Sequence, residues 1–261
     1  MKLELQDIRL TFSNSRKGDF HLLQGVDLAV KEGEITAIVG GNGTGKTTLF
    51  NIISGFIKDY EGKVLIDGKD IRMLPTHKRA SAGIGRLFQG TQLMGNLTLM
   101  ENMKIADSDT TGEHPLFPFI GYQAIRRQEE QKEQKAIAIL NTLFGADNKY
   151  LSLLNQKASA LSYGEQRLIG IARLLMGKSN ILLLDEPTSG VNPVYIETIA
   201  GIIRKLVTEQ HMTILLIEHN MNFIKSLATN CAYLENGKIM QYGPTEVVLN
   251  DEGVKNSYLG V

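Results

Sequence analysis

The run Gly40-Gly41-Asn42-Gly43-Thr44-Gly45-Lys46-Thr47 constrains this chain more than any other stretch. It fits G-x-x-x-x-G-K-[ST], the phosphate-binding loop. Glycines let the backbone curl until successive N–H groups point at one anion, and the positive end of the following helix adds to the same spot. In such a loop a lysine reaches the β- and γ-phosphates and the Ser/Thr hydroxyl holds Mg²⁺. Gly40, Asn42, Gly43, Thr44, Gly45, Lys46, Thr47 and Thr48 are therefore candidate nucleotide contacts, with Thr47 also a candidate metal ligand. The apolar-leaning Ile35–Val39 before the loop reads as a buried strand, and Lys46 to Gly55 reads as a helix with a glycine stop. A chance match in a chain of this size has odds of roughly 1 per cent, and the flanking strand and helix lower them further.

The bulk numbers narrow the class. With 261 residues and 43% hydrophobic content, the chain suits one large domain with a substantial core. Lys plus Arg and Asp plus Glu each total 28, a balance that argues against a nucleic-acid binder. The lone Cys231 excludes an internal disulfide and fits a reducing compartment. No run of 18 apolar residues is present, and MKLELQDIRLTF lacks the apolar block of a signal peptide, so a cytosolic protein is expected.

Along the chain, residues 3–12 alternate like a strand, Ser13–Asp19 reads as a polar turn, and a second strand pattern covers His21–Val30. Gly62–Asp67 resembles a hairpin arm, and Ile84–Gln89 is a short apolar stretch ending in Gln89. From 93 to 145 the spacing turns helical, clearest over Glu129–Phe144, where Ala136, Ile137, Leu140, Leu143 and Phe144 form one stripe. The segment from about 90 to 177 is thus expected to be a helical subdomain inserted into the core, broken by His114–Phe119. Strand and helix then alternate: Asn180–Leu184, Val194–Gln210, Thr213–Ile217, Asn220–Thr229 and Ala232–Glu235. This predicts an α/β core with parallel strands.

Two further segments carry chemistry. Ile181-Leu182-Leu183-Leu184-Asp185-Glu186 is an apolar strand ending in adjacent carboxylates. Ligands sit at the carboxyl ends of parallel strands, so Asp185 is a candidate for the Mg²⁺ side and Glu186 for the general base that activates water. An ordinary Asp-Glu pair closing a strand before Pro187 is the bland alternative. Leu161-Ser162-Tyr163-Gly164-Glu165-Gln166 begins a helix, with Ser162 as N-cap and Glu165 completing a capping box. Out of context it is simply a well-capped helix.

Taken together, the motifs resemble those of an ATP-binding cassette ATPase, the nucleotide-binding subunit of a transporter, across essentially the whole chain. Gly40–Thr47 matches the family's Walker A loop, Asp185 and Glu186 its Walker B aspartate and catalytic glutamate, and LSYGEQ at 161–166 its LSGGQ signature. Gln89 matches the Q-loop glutamine, which links γ-phosphate and Mg²⁺ to the helical subdomain, and His219 matches the switch histidine. The resemblance implies a P-loop NTPase fold with mixed sheet, an N-terminal antiparallel β region and a helical insert. It implies Lys46, Gln89, Glu186 and His219 as catalytic residues, Thr47, Gln89 and Asp185 as Mg²⁺ ligands, and ATP contacts from Ser162 and Gly164 across a dimer interface. Phe12 has the place of the adenine-stacking aromatic, with Phe20 its rival. Tyr163 stands where glycine is commonest, and Asn192 stands where aspartate is common in the D-loop.

The implied partners are a second cassette (a homodimer or a paralogous heterodimer), transmembrane permease subunits, and a substrate-binding protein acting through the permease, with no nucleic acid. The implied location is peripheral, on the cytoplasmic side of the plasma (inner) membrane. The permease is expected to dock on the helical subdomain, to which the Phe117–Tyr122 aromatics could belong. His77-Lys78-Arg79-Ala80, Gly83–Gln89, Glu218–Met221 and Ser257–Gly260 are similar to cassettes of branched-chain and other hydrophobic amino acid importers, a group that includes urea-type importers. Rival readings are a cassette for another solute or an exporter, a non-transport cassette ATPase, a P-loop kinase or GTPase, and a scaffold that never turns nucleotide over. The absence of sustained heptads argues against the non-transport cassette, the signature helix against a kinase, the absence of an N-K-x-D motif against a GTPase, and the presence of Glu186 and His219 against a scaffold.

Overall fold

The computed structural model describes residues 1–14, 18–90, 93–107 and 122–259. Two sheets carry the fold. Strands β1 (Leu3–Asn14), β2 (Gly18–Val30), β4 (Glu61–Ile66) and β5 (Lys69–Asp70) form an antiparallel sheet in the order β2-β1-β4-β5. The larger sheet has the order β10-β9-β3-β8-β7-β6, from β3 (Ile35–Val39), β6 (Ile84–Leu87), β7 (Ile181–Asp185), β8 (Thr213–Ile217), β9 (Asn230–Glu235) and β10 (Lys238–Pro244). All its pairings are parallel except β9–β10. The parallel strands are those that the alternation of patterns predicts, and the antiparallel β10 makes the sheet mixed, as the resemblance implies.

Strands β3, β7 and β8 are buried on both faces, which is why they read as unbroken apolar runs. Their side chains divide with period two between two cores. Leu182, Leu184, Ile214 and Leu216 face one core, and Ile181, Leu183, Leu215 and Ile217 face the other. The second core also receives α1 (Lys46–Ser54), through Leu49, Phe50, Ile52 and Ile53, and the inner face of the antiparallel sheet, through Leu3, Leu5 and Ile8. Helix α1 is thus held between two sheets.

After α2 (Thr76–Ser81), the described elements between β6 and β7 are helical: α3 (Leu99–Ile105), α4 (Tyr122–Phe144), α5 (Lys149–Ser152) and α6 (Tyr163–Leu174), with a single 3-10 turn at Ala158–Ala160. Ala136, Leu140 and Leu143 of α4 are buried, and Ile137 and Phe144 are half-buried beside them. Helices α7 (Pro193–Thr208), α8 (Met221–Leu227), α9 (Thr245–Asn250) and α10 (Glu252–Leu259) complete the chain.

The expected polar turn at Ser13–Asp19 is corrected. Ser13 pairs with Asp19 and Asn14 with Gly18, so these four residues are strand rather than turn, because ladder hydrogen bonds come from the backbone. The second strand accordingly starts at Gly18 rather than His21. No pattern in the sequence predicts α2, β5, β10, α9 or α10. His114–Phe119, residues 117–121 of the aromatic run and Gly260 lie outside the described residues.

The far end of α1 is closed by an unusual cap. Gly55 takes φ 82°. Arg79, fully buried, donates Nη1 to the carbonyls of Ile52 and Ile53, Nε to Leu74 O and Nη2 to Arg72 O. A Cβ at Gly55 would lie 2.9 Å from Arg79 Nε, so the glycine also makes room for the guanidinium. Arg79→Met leaves buried carbonyls without donors and is expected to cost about 3 kcal/mol of stability, measured by chemical denaturation.

Candidate nucleotide site

The loop between β3 and α1 has the curled shape that its sequence predicts. Gly43 and Gly45 take φ 79° and 104°, left-handed values that favour glycine. At Gly40 the limit is space: a Cβ there would lie 2.2 Å from the Leu234 carbonyl oxygen of β9. Gly45 caps α1 without a side-chain acceptor, and no acidic residue occupies the first turn. The positive end of α1 is therefore left for an anion. Lys46 folds back and donates Nζ to Gly40 O and Gly41 O, both at 2.8 Å, and Thr44 Oγ1 donates to Gly41 O. Burial lowers the Lys46 pKa, against the opposing pull of Glu186 and Asp185.

A cavity of about 330 Å³ opens beside this loop, lined by Asn42, Gly43 and Thr44 on one side and by Phe20, His21 and Asn236 on others. Phe20 is the aromatic on this wall. Phe12 is its cross-strand partner on β1 and does not line the cavity. Phe12 and Phe20 are 49% and 60% exposed, so neither is a core residue.

The ends of β6, β7 and β8 meet at one carboxylate. Gln89 Nε2 donates to Glu186 Oε2 at 2.8 Å, and His219 Nε2 lies 3.3 Å from Glu186 Oε1. Glu186 has φ 47°, left-handed for a non-glycine residue, and its N–H donates to Ile217 O at 2.8 Å. One residue back, Asp185 is buried, and Arg86 Nη2 donates to its Oδ2 at 3.3 Å. Its Oδ1 is buried and makes no hydrogen bond, while the Thr47 hydroxyl of α1 is near enough to favour the ionised carboxylate. Burial nonetheless pushes the Asp185 pKa up, against the pull of Arg86. A buried carboxylate oxygen without a donor, beside a threonine hydroxyl, suits a hard divalent cation.

The structure thus assembles Lys46, Thr47, Gln89, Asp185, Glu186 and His219 around the ends of four neighbouring strands. Ser162 and Gly164 lie elsewhere, at the start of α6, and share no hydrogen bond with the loop among the described residues. Their local geometry matches the sequence expectation. Ser162 caps α6, Ser162 N–H donates to Glu165 Oε2 at 2.7 Å, and Lys149 Nζ donates to Glu165 Oε1. The carboxylate at 165 is occupied on both oxygens. A Cβ on Gly164 would lie 2.4 Å from the Tyr195 ring of α7. Asn192, where aspartate is common, caps α7 by accepting from Val194 N–H.

Sequence reasoning missed three buried charges that frame the site. Arg86 bonds Asn51 and Ser54 of α1 as well as Asp185, with its guanidinium 4.3 Å from the Phe88 ring centroid. Glu218 Oε1 accepts from Thr188 N–H and Oγ1, and Oε2 accepts from His219 and Asn220 N–H. Arg167 bonds the carbonyls of Phe88, Gly90 and Glu186. The available signal was a charged residue within an apolar strand or stripe: Arg86 in Ile84–Leu87, and Arg167 beside Leu168 and Ile171.

A curled glycine loop on a parallel sheet, with carboxylates at the adjoining strand end, defines a P-loop nucleotide hydrolase. The family model described as ABC transporter matches residues 23–189, and the chain belongs to that family. It is accordingly an ATP-binding, ATP-hydrolysing protein. The high-affinity branched-chain amino acid transport ATP-binding protein BraF of Pseudomonas aeruginosa is 34% identical over 245 residues, 94% of each chain. A nucleotide-free ATP-binding cassette from an ABC transporter superposes with a TM-score of 0.82 at 32% identity, covering 100% of this chain and 99% of that one. A dimeric cassette in a post-hydrolysis state bound to ADP and Pi gives 0.74 at 26% identity, covering 93% and 98%.

Gly40→Ala, whose added methyl would press on the Leu234 carbonyl of β9, is expected to lower ATP affinity at least about tenfold by titration calorimetry while the circular dichroism spectrum keeps its helix and strand content.

Proposed function

We propose that this chain is the ATP-hydrolysing subunit of an importer of branched-chain or other hydrophobic amino acids. The observation that carries the catalytic part is the meeting of Gln89, Glu186 and His219 beside the Lys46 loop. The solute class is supported by the likeness to BraF over nearly its full length.

In this reading Lys46 leaves the Gly40 and Gly41 carbonyls for the β- and γ-phosphates of ATP, joined by loop N–H groups and the Asn42, Thr44 and Thr48 side of the cradle. Thr47, Asp185 and Gln89 would hold Mg²⁺, which would supply positive charge to offset that of the phosphates. Glu186 accepts a proton from the attacking water as its oxygen bonds the γ-phosphorus and ADP departs. His219 steadies the γ-phosphate, and Gln89 relays its presence to a helical subdomain over about 90–177. Phe20, rather than Phe12, is the aromatic for the adenine ring, because it lines the cavity beside the loop.

The start of α6, exposed at Ser162 and Tyr163, supports a second role. Ser162 and Gly164 would complete the phosphate cage of a partner cassette, in a homodimer or with a paralogue. No helix among the described residues is long and apolar enough to cross a membrane. In this reading transport uses permease subunits fed by a substrate-binding protein, the partners that the likeness to transport ATP-binding proteins supports. The chain then works as a peripheral protein on the cytoplasmic face of the membrane.

Glu186→Gln is expected to cut steady-state ATP hydrolysis by about 10² to 10³-fold while ATP affinity stays and dimers accumulate in size-exclusion chromatography. Wild-type turnover in that variant would remove the assigned base. Phe20→Ala should raise the KM for ATP about tenfold, and Phe12→Ala should leave it within about twofold. For the solute, vesicles carrying the chain with its permease and binding protein should accumulate leucine, and accumulation of urea instead would overturn the assigned class.

A further inference from the structure

Arg167 lies one turn into α6, on the face that carries Leu168 and Ile171, and is 1% exposed. Burying a guanidinium is costly unless every contact is well made. Its hydrogen bonds, made by Nη1 and Nη2, are all to backbone carbonyls, while Nε is buried without one among the described residues. Nη1 donates to Phe88 O at 2.8 Å and to Gly90 O at 2.6 Å, and Nη2 donates to Glu186 O at 3.0 Å. Phe88 and Gly90 are the neighbours of Gln89 on either side. One planar cation therefore clasps the chain before and after Gln89 and also holds the main chain of Glu186.

Those are the two residues whose side chains meet at 2.8 Å. Glu186 needs such a hold, because its φ of 47° is unfavourable for a side-chain-bearing residue and its peptide must be fixed by neighbours. On the amino side the Ile217 carbonyl fixes it; on the carboxyl side Arg167 does, with Ser189 N–H at 3.2 Å. Arg167 is also one turn from the Ser162 cap, inside the same rigid helix. The helix start, the segment around Gln89 and the carboxylate at 186 are thus joined through one guanidinium.

We infer that Arg167 is a positioning residue that sets Gln89 against Glu186 and ties both to the start of α6, so that two ATP sites in a cassette pair respond together. The inference rests on the reading of Glu186 as base and of the α6 start as facing the partner's nucleotide. A shift of the helix start on meeting one nucleotide then moves the backbone of the glutamine and glutamate that act on the other. A lysine cannot substitute, because a compact ammonium on a shorter reach does not span three separated carbonyls.

The test uses Arg167→Met and Arg167→Lys in the full chain. Both are expected to lower kcat about 30-fold with ATP affinity within about twofold, and to bring the Hill coefficient for ATP hydrolysis toward 1. In single-turnover assays, Arg167→Met added to Glu186→Gln should cause no further loss, since both act on the same step. Should Arg167→Met fail to fold, Arg167→Lys keeps the charge and carries the same comparison. Unchanged kcat and Hill coefficient in a folded variant would overturn the inference, as would losses that multiply in the double variant, or affinity and thermal stability falling together with kcat. An inactive Glu186→Gln beside a normal Arg167→Lys sinks this inference alone. An active Glu186→Gln sinks the reading beneath it.

Discussion

The parallel alignment of β3, β8, β7 and β6 is the constraint on which the rest depends. Four neighbouring strands that run the same way must end on the same edge. The glycine loop leaves β3, Glu218 and His219 follow β8, Asp185 and Glu186 close β7, and Gln89 lies two residues past β6. Residues up to 179 positions apart in sequence (Gly40 to His219) are therefore brought to one rim by backbone hydrogen bonds, before any side chain contributes. The α1 helix, held between two sheets, then fixes the loop from the other side.

Charge buried behind that rim gives the site its geometry. Arg86 binds Asp185 to α1, Glu218 binds the residue after Pro187 to the His219 turn, and Arg167 binds the β6 and β7 ends to α6. Each is worth little as stability, since removing a charge from water offsets most of what its contacts return. Their value lies in direction. A carboxylate or guanidinium with several fixed partners admits few arrangements of the loops it joins, and that is what a site working by preorganised electrostatics requires.

The core of this arrangement was legible in the sequence because it depends on local chemistry. Strands buried on both faces write unbroken apolar runs, left-handed turns write glycine, and a capping box writes Ser162 with Glu165. What was hidden depends on long-range geometry. Whether Phe12 or Phe20 lines the cleft follows from how β1 and β2 sit against the loop, and pattern alone ranks them by position. Strand β10 alternates exposed and half-buried residues at the sheet edge, so it never produces an apolar run. The helices α2 and α9 span only six residues each, too short for a periodic stripe. Buried arginines such as Arg79 and Arg167 look like surface residues until the carbonyls they reach are known.

On the proposed reading, the bend between β3 and α1 is the phosphate cradle, with Lys46 held on Gly40 and Gly41 until an anion arrives. Amide chemical shifts followed during titration with ATP and Mg²⁺ test it most directly. The largest shifts are expected on Gly41, Gly43, Gly45, Lys46 and Thr47, with smaller ones at Gln89 and Glu186. Saturating nucleotide that leaves those loop amides unmoved while shifting resonances elsewhere would contradict it.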